Sequence, residues 1–326
     1  MFIVIIFVQI STMNRQKQDI DLVYLWVDGS DEKWLARKNA FLGIGLSDTQ
    51  NNCKGRYADN DELKYSLRSV EKYAPWIRKI FIITDNQIPD WLDTANPQLK
   101  IIDHTEILPK EALPCYNASV LEYFIYKIPD LAEHFLFSND DTMFNAPLTP
   151  DFFFSDNGFP IVRLRKKNLK LRAFLKKLIG KKLSAWRKVI LNSTMEIEKR
   201  FGIYYPGIPH HNIDAYLKSD YQQAVEKIFA GEIKKSLPHH VRSGEDMHRS
   251  GFSLYALAIK HGHLQYVDKK ESCVIRLERK NYYRYLNSYH PKLICLNDSE
   301  RVSDNDRKRA KIFMEELFPQ KSNFEK

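Results

Sequence analysis

Two adjacent aspartates, Asp140 and Asp141, directly follow the apolar run at 135–137 and the short link Ser138-Asn139. Such a run is typical of a buried strand, so both carboxylates are expected at the carboxyl edge of a sheet, where open α/β folds bind ligands. Neighbouring carboxylates repel each other unless a divalent cation or strong donors lie between them. Mg²⁺ favours one or two carboxylates together with substrate phosphates. The pair therefore indicates either a metal site or a solvated Asn-Asp-Asp turn.

Three further stretches combine groups that can handle phosphates or protons. Asp28-Gly29 follows an apolar run and offers a tight turn to a phosphate or ribose, although a plain strand and turn has the same pattern. Three acids crowd a helix start beside Arg56, which is more than N-terminal capping requires: Asp59, Asp61 and Glu62.

The third stretch is rich in histidine. Five of the ten histidines lie at 209–214 and 239–248, in the second case beside Arg242. Histidine is the side chain best suited to exchanging protons near neutral pH, so this clustering favours a site that handles phosphate and protons. Zinc is the competing interpretation, but there is no HExxH motif and no cysteine nearby.

The elements that must position these groups follow from periodicity. Apolar runs alternate with helical patterns over 20–160, which predicts βαβ units and a Rossmann-like, mostly parallel α/β sheet flanked by helices. The predicted strands are 20–27, 79–84, 100–103 and 135–138, and the predicted helices are 62–73 and 117–128. We expect a leader at 1–19 that need not hold the native start, one catalytic domain in two parts, at 20–160 and 200–300, and a C-terminal surface helix with a frayed tail at 301–326.

A strongly basic segment separates the two catalytic parts. Residues 163–188 hold twelve cations and no acid, with apolar residues at helical spacing. This pattern predicts a basic amphipathic helical insertion, within 161–199, that lies on an anionic membrane or grips a polyanion. The alternative is a surface helix that packs its apolar stripe on the core.

Composition limits the possible functions. The chain has 326 residues and a net charge of 50 − 41 = +9, so an acidic partner is expected: nucleic acid, an anionic membrane or phosphorylated substrates. Four scattered cysteines without a CxxC pair indicate reduced thiols in a cytoplasmic protein. The apolar stretch at 2–10 is about half the ~20 residues that a membrane span needs. The absence of a P-loop and of a GxSxG motif argues against NTPases and hydrolases.

Several motifs resemble conserved regions of one family, in the family's order. The segment Asp21 to Gly29 resembles the first region of the Stealth family, and Arg56 to Trp91, with Ala74-Pro75-Trp76-Ile77-Arg78, resembles the second. The remaining matches are Asn139-Asp140-Asp141, then Pro209 to Asp214 with Val241-Arg242 and Glu245-Asp246-Met247, and finally Cys295-Leu296-Asn297-Asp298. The family holds bacterial capsular polysaccharide phosphotransferases and the animal enzyme that tags lysosomal glycoproteins with N-acetylglucosamine 1-phosphate. This chain looks like the bacterial kind.

The resemblance implies transfer of a hexose 1-phosphate or N-acetylhexosamine 1-phosphate from a UDP-sugar to a glycan hydroxyl, with release of UMP, in capsular or cell-surface polysaccharide synthesis. It further implies Mg²⁺ or Mn²⁺ held by Asp140 and Asp141. His211 is the first choice of general base, with Asp59 second, although the His210-His211 doublet leaves the alignment ambiguous by one residue. Arg242, Arg56 and Arg68 are expected to neutralise phosphate. The other residues expected to bind substrate are Asp28, Gly29, Asp61, Glu62, His210, Glu245, Asp246, Asn297 and Asp298.

Two alternatives remain open at this stage. A metal-dependent glycosyltransferase would use the same UDP-sugar and carboxylates but release UDP. A binding module without catalytic activity rests on the basic helix alone. For the enzyme we expect no nucleic-acid partner and a cytoplasmic location, peripheral on the inner face of the cell membrane, with that helix contacting anionic lipid or a phosphate-rich product.

Overall fold

The computed structural model describes residues 18–43 and 57–326. Arg56, Cys53 and most of the predicted leader lie outside the described residues. The strands are β1 (Ile20–Leu25), β2 (Ile80–Thr84), β3 (Leu99–Asp103), β4 (His134–Asn139), β5 (Thr142–Phe144), β6 (Ile161–Lys166), β7 (Gly207–Pro209), β8 (Asp214–Leu217), β9 (His263–Tyr266), β10 (Ser272–Arg276) and β11 (Leu293–Asn297).

Helices cover both faces of the main sheet and alternate with the strands in the second half of the chain. They are α1 (Glu32–Leu42), α2 (Glu62–Tyr73), α3 (His104–Ile107), α4 (Ala118–Tyr123), α5 (Leu169–Leu178), α6 (Ala185–Phe201), α7 (Lys218–Gln223), α8 (Ala230–Ser236), α9 (Ser250–Ala258), α10 (Tyr283–Tyr289) and α11 (Asp304–Leu317).

The central sheet has the strand order β3-β2-β1-β4-β8, parallel except for β8. Its middle strands are buried on both faces, which is why they read as continuous apolar runs. Along β1, Val23 belongs to the core on one face, whereas Leu22 and Tyr24 belong to the core on the other. The Rossmann-like, mostly parallel α/β sheet is therefore confirmed. Strand β8, from the second part of the chain, pairs with β4 from the first, so the two parts share one sheet.

The basic segment differs from the single helix that its periodicity predicts. Residues 161–166 form β6, which pairs with β7 and β9, and Arg163 is buried with its guanidinium over the Phe152 ring. Helix α5 starts only after Asn168, whose side chain accepts a hydrogen bond from the Leu171 N–H at 2.9 Å. Gly180, at φ 66°, follows the end of α5, and α6 starts afresh at Ala185. A strand and two helices therefore replace the predicted helix.

The C-terminal segment is packed, so the expectation of a frayed tail is wrong. Phe324 is buried, and the Asp93 N–H donates to its carbonyl at 2.9 Å. The Glu325 carboxylate accepts two hydrogen bonds from Arg68, at 2.8 and 2.9 Å. Because both partners are almost fully buried, this ion pair fixes the last residues of the chain against α2.

Two sequence-based expectations concern the cysteines and the membrane. The three cysteines that the structure describes, Cys115, Cys273 and Cys295, are buried and free. Within 18–43 and 57–326, none of the helices is both long enough and apolar enough to cross a bilayer.

Candidate active site

The candidate site lies where the order of the parallel strands changes direction. From β1 the chain adds β2 and β3 on one side and β4 on the other, and crevices at such switch points are the ligand sites of open α/β sheets. Leu25 and Asn139 are register partners at the ends of β1 and β4. The residues that follow these strands, Trp26 on one side and Asp140 with Asp141 on the other, line a common cleft.

The cleft collects groups from distant parts of the sequence. Of the residues predicted to form the site, seven line it: Glu62, Asp140, Asp141, His211, Arg242, Asn297 and Asp298. Aromatic side chains from α1 and from the segments before α2 and α4 form another wall: Trp34, Tyr57 and Tyr116.

Asp140 and Asp141 are held in an environment that disfavours two negative charges. Burial, the Asp141 charge and Glu62 raise the pKa of Asp140 well above its usual range. Burial likewise raises the pKa of Asp141 to about 6. The Asp141 Oδ1 atom is buried and has no hydrogen-bond partner among the described residues. A buried, unpartnered carboxylate oxygen beside a second carboxylate fits a cation.

Two further side chains approach Asp141. The Cys295 thiol donates to Asp141 Oδ2 at 3.4 Å, and a donor atom from each of Asp141, His211 and Cys295 lies within 4.8 Å of the others. These three side chains could hold a metal ion. Burial and the charge of Asp141 raise the pKa of Cys295 well above its usual value, so without an ion the thiol is protonated and donates to the carboxylate. Cys295 was missed as a site residue, although it stands in the motif that carries Asn297 and Asp298.

A second group of acids precedes and begins α2. Burial raises the pKa of Glu62 to about 8, although its carboxylate accepts hydrogen bonds from the Asn60 backbone and side-chain N–H groups, both at 2.6 Å. Burial and the Asp61 charge raise the pKa of Asp59 to about 6. Asp61 instead adopts a left-handed backbone, at φ 65°, and its carboxylate forms an ion pair with Lys311. At neutral pH Asp59 therefore adds negative charge near Asp140, whereas Glu62 is largely protonated and the Asp61 charge is balanced by Lys311.

The Asp28-Gly29 turn shapes the cleft through its backbone. Asp28 Oδ1 accepts hydrogen bonds from the Ser30 N–H and hydroxyl, at 2.8 and 2.6 Å, so this carboxylate is engaged in its own turn. The Gly29 N–H donates to the Tyr57 carbonyl at 2.7 Å, and a Cβ on Gly29 would clash with that oxygen. Only glycine permits this approach, which holds Tyr57 against the loop after β1.

The histidine doublet is divided between the cleft and the interior. His210 is fully buried, and its Nε2 lies 3.0 Å from Asp214 Oδ1. His211, at φ 58°, turns to the cleft wall, where Trp186 packs edge-on against it. Burial, Arg249 and Arg242 lower the pKa of His211 to about 4, so its imidazole is neutral near pH 7. Arg242 lies on the same wall.

Glu245 and Asp246 differ in their surroundings. Asp246 is fully buried, and its carboxylate accepts hydrogen bonds from Asn117 Nδ2 at 2.9 Å and the Ser243 N–H at 2.8 Å. It also contacts His239 Nδ1 at 2.6 Å. Asp246 thus anchors the loop that carries Arg242, whereas the Glu245 side chain is exposed outside the cleft lining.

Two other residues that were predicted to bind substrate form hydrogen bonds within the protein instead. Arg68, expected to neutralise phosphate, is buried away from the cleft lining and donates to Glu325, Glu315 and the Phe318 carbonyl. Its role is to hold the C-terminal segment. Asp298 borders the cleft, but its carboxylate accepts two hydrogen bonds from Arg307, at 2.8 and 3.1 Å.

A buried ion network that the sequence did not reveal lies next to the cleft. Arg249 donates to Glu122 at 3.0 Å and to Asp214 at 3.2 Å, and it covers the Phe137 ring in β4. Asp214 in turn holds His210. The network links α4, β8 and the segment before α9, so it positions the His210-His211 turn beside the end of β4. Only the proximity of Arg249 to the second histidine stretch could have indicated it.

Comparisons with known proteins identify the class of the enzyme. Capsular polysaccharide phosphotransferase LcbA of Aeromonas hydrophila is 32% identical over 316 residues, covering 92% of this chain and 84% of that protein. Capsular polysaccharide phosphotransferase fcs1 of Haemophilus influenzae is 33% identical over 312 residues, covering 90% of this chain and 82% of that protein. Exopolysaccharide phosphotransferase cps2G of Lactiplantibacillus plantarum is 47% identical over 142 residues, 44% of this chain and 41% of that protein. The chain is a transferase of phosphorus-containing groups.

The family follows from the same comparisons. The family models for conserved regions 1 and 2 of the Stealth protein match residues 18–45 and 56–162. The chain belongs to the Stealth family, and the resemblance seen in the sequence is confirmed. Among solved structures, the galactosyltransferase LgtC in complex with donor and acceptor sugar analogs aligns over 93% of this chain and 96% of its own, at 11% identity and a TM-score of 0.45. The sequence relatives, not this remote likeness, identify the chain.

The substitution Asp141→Asn should stabilise the metal-free protein at neutral pH. Folding raises the pKa of the Asp141 carboxyl from about 3.8 to about 6. Because the unfolded chain ionises this group more readily than the folded protein does, the free energy of unfolding falls as the pH rises through that range. The amide that replaces the carboxyl carries no charge at any pH. In chelator, the melting temperature of Asp141→Asn should exceed that of the wild type at pH 7.5, and the difference should vanish towards pH 4.

Mg²⁺ should reverse this order, because it should raise the melting temperature of the wild type only. Glu245→Gln, at an exposed carboxylate, serves as the control and should leave both measurements unchanged. Equal melting temperatures of wild type and Asp141→Asn in chelator at pH 7.5 would show that Asp141 carries no destabilising charge.

His211→Ala and His210→Ala should affect different properties. Because His211 lines the cleft, its loss should lower turnover by ~10²–10⁴-fold, as expected for a general base, with little change in donor KM. Loss of the buried His210 leaves Asp214 with one partner fewer, so His210→Ala should lower the melting temperature more than His211→Ala does. Steady-state kinetics and thermal melts measure both effects, and a larger turnover loss in His210→Ala would reverse the assignment.

Proposed function

We propose that this enzyme transfers a hexose 1-phosphate or N-acetylhexosamine 1-phosphate from a UDP-sugar to a hydroxyl of a glycan acceptor, releasing UMP, in capsular or cell-surface polysaccharide synthesis. The observation that carries this proposal is the convergence of Asp140, Asp141, His211 and Arg242 in one cleft at the sheet's switch point. Membership of a family whose relatives are polysaccharide phosphotransferases supports the same reaction.

The reaction joins an acceptor oxygen to the phosphorus that bears the sugar. As this bond forms, the bond from that phosphorus to the oxygen bridging to the uridylate breaks, and UMP leaves with the bridging oxygen. The acceptor proton passes to the neutral His211 imidazole. Arg242 on the same wall offers a planar, permanently charged donor set to the phosphate oxygens. Such a reaction needs chiefly positioning and neutralisation of charge, both of which these groups supply.

A divalent cation fits the carboxylate pair. Asp140 and Asp141 would hold Mg²⁺ or Mn²⁺, since both ions prefer oxygen ligands and the buried Asp141 oxygen has no other partner among the described residues. When bound, the cation neutralises negative charge on the donor diphosphate. The Cys295 thiol donates to Asp141 and helps to orient its carboxylate, and a His211 ring nitrogen lies within 4.8 Å of the same group.

The competing reaction is transfer of the sugar alone with release of UDP, and the product distinguishes the two. We expect ³¹P NMR of a mixture of enzyme, Mg²⁺, candidate UDP-sugars and acceptor to show a new phosphodiester resonance together with UMP. Asp141→Asn should give neither signal while remaining folded. Release of UDP with no phosphodiester would reject phosphoryl transfer in favour of the glycosyltransferase alternative.

We further propose that α5 docks the enzyme on an anionic membrane. Leu169 at its start packs with Ile190 and Ile208, but its later apolar residues are exposed: Phe174 and Leu178 are 58% and 67% exposed, and Ile179 directly after the helix is 65% exposed. Lysines surround them on α5 and in the following loop, and basic apolar surfaces of this kind bind anionic lipid. The loop leads into α6, where Trp186 packs against His211, so docking would bring the cleft close to the membrane.

Flotation with vesicles tests the docking. Reversing Lys177, Lys181 and Lys182 to Glu should abolish flotation with anionic vesicles, because each cation near the surface contributes ~1 kcal/mol. The matched control reverses three exposed lysines elsewhere, Lys110, Lys234 and Lys235, and should float like the wild type. High salt should weaken binding. Equal flotation of all three proteins, or equal binding to neutral vesicles, would argue against an electrostatic membrane site on α5.

A further inference from the structure

Three side chains of different chemistry meet at the edge of the cleft. Asp141 follows β4, His211 lies in the turn between β7 and β8, and Cys295 belongs to β11. One donor atom from each lies within 4.8 Å of the other two. The histidine stretches have no cysteine near them in the sequence, so the sulfur atom reaches His211 only through the fold. A carboxylate, an imidazole and a thiol grouped this closely are the ligand types of a zinc site.

The spacing of these atoms fits an ion between them. Cys295 Sγ lies 3.4 Å from Asp141 Oδ2. In a tetrahedral zinc site, metal–sulfur and metal–oxygen bonds of about 2.3 and about 2.1 Å hold the two ligand atoms about 3.6 Å apart. No pair of the three donors would have to close by more than about 1 Å to reach such a spacing. An ion would therefore enter with little rearrangement.

The backbone holds the three donors in place. Cys295 lies in the middle of β11, which pairs with β10 on one side and β5 on the other. The next residue, Leu296, donates its N–H to the Asp141 carbonyl at 2.8 Å, so the thiol and the carboxylate extend from neighbouring backbone. The buried ion network around Arg249 fixes the turn that carries His211. Donors that are positioned before an ion arrives favour its binding.

The donor set distinguishes this group from the carboxylate pair. Mg²⁺ prefers the oxygen ligands that Asp140 and Asp141 supply, whereas Zn²⁺ and similar ions bind thiolate and imidazole. Because Asp141 belongs to both sets, an ion bound in one hinders an ion in the other. Only an ion in the second set engages His211. The two ions would therefore have opposite effects on the site.

We propose that Asp141, His211 and Cys295 form an inhibitory site for Zn²⁺ or another thiophilic divalent ion. On binding, the thiol releases its proton to solvent, and the thiolate, the neutral imidazole and the carboxylate bind the ion, with water in the fourth position. The imidazole nitrogen that binds the ion no longer accepts a proton from the acceptor hydroxyl, and Asp141 is withdrawn from Mg²⁺. The inhibitory role rests on the proposed function, whereas metal binding by these residues does not.

Cobalt absorption tests the binding without relying on turnover. Co²⁺ occupies zinc sites and reports a thiolate ligand through a charge-transfer band in the near ultraviolet. Added to the chelator-treated and dialysed protein, Co²⁺ should produce this band in the wild type, and Zn²⁺ should abolish it. Cys295→Ser, which keeps a hydroxyl to donate to Asp141, should show no band. The matched control is Cys273→Ser, at a buried free cysteine on the neighbouring strand β10, and it should match the wild type.

Zinc affinity tests each ligand separately. In competition with a chromogenic chelator, Cys295→Ser and His211→Ala should each bind Zn²⁺ at least about tenfold more weakly than the wild type, since loss of even an outer partner of a metal ligand costs this much. Cys273→Ser should keep the wild-type affinity. A wild type without the cobalt band, or equal Zn²⁺ affinity in Cys295→Ser and the wild type, would overturn the site. Unchanged affinity in His211→Ala would overturn inhibition through the histidine.

UMP release then tests the inhibition. With Mg²⁺ in excess, Zn²⁺ should inhibit the wild type and Cys273→Ser at concentrations at least about tenfold below those that inhibit Cys295→Ser, each compared with its own uninhibited rate. Equal sensitivity of all three proteins would overturn the inhibitory role. The cobalt band forms whether or not UMP is released, so loss of the metal site and failure of the proposed reaction give different results.

Discussion

The candidate site depends on keeping two adjacent carboxylates together at the end of a buried strand. Asp140 and Asp141 gain nothing for folding from their position, because burial raises the pKa of both and the Asp141 charge raises that of Asp140 further. The surrounding structure offsets this cost with the packing of β4 in the core and with the Cys295 thiol that donates to Asp141. Because these buried carboxylates lower the free energy of unfolding, they are available to bind a cation. Destabilising charged groups of this kind are typical of functional sites.

A second constraint is the buried network around Arg249. Burying a guanidinium is costly unless partners compensate its charge, and Glu122 and Asp214 do so for Arg249. Because these partners lie on α4 and β8, the network locks the segment before α9 to the sheet. The same cation, together with burial, keeps His211 uncharged, so the network both positions the histidine and sets its protonation state.

The net charge of +9 conceals an uneven distribution of charge. The cleft concentrates acids, whereas cations accumulate on α5 with its following loop and beside α10. The cations of α5 surround exposed leucine and phenylalanine side chains, followed by the exposed Ile179. Basic apolar surfaces of this kind suit anionic lipid, whereas the acids of the cleft favour a cation.

The sequence by itself determined the parallel sheet, the position of Asp140 and Asp141 and the family, because buried parallel strands read as apolar runs and the family motifs are local strings. Helix α2 has the predicted bounds for the same reason. Only the tertiary structure decided which of His210 and His211 faces the cleft, that Arg68 holds Glu325, and that Cys295 meets Asp141 from 154 residues away. It also broke the basic segment into a strand and two helices, since pairing with β7 and β9 outweighs local periodicity. Each of these outcomes depends on burial and on partners distant in the chain, which no local pattern records.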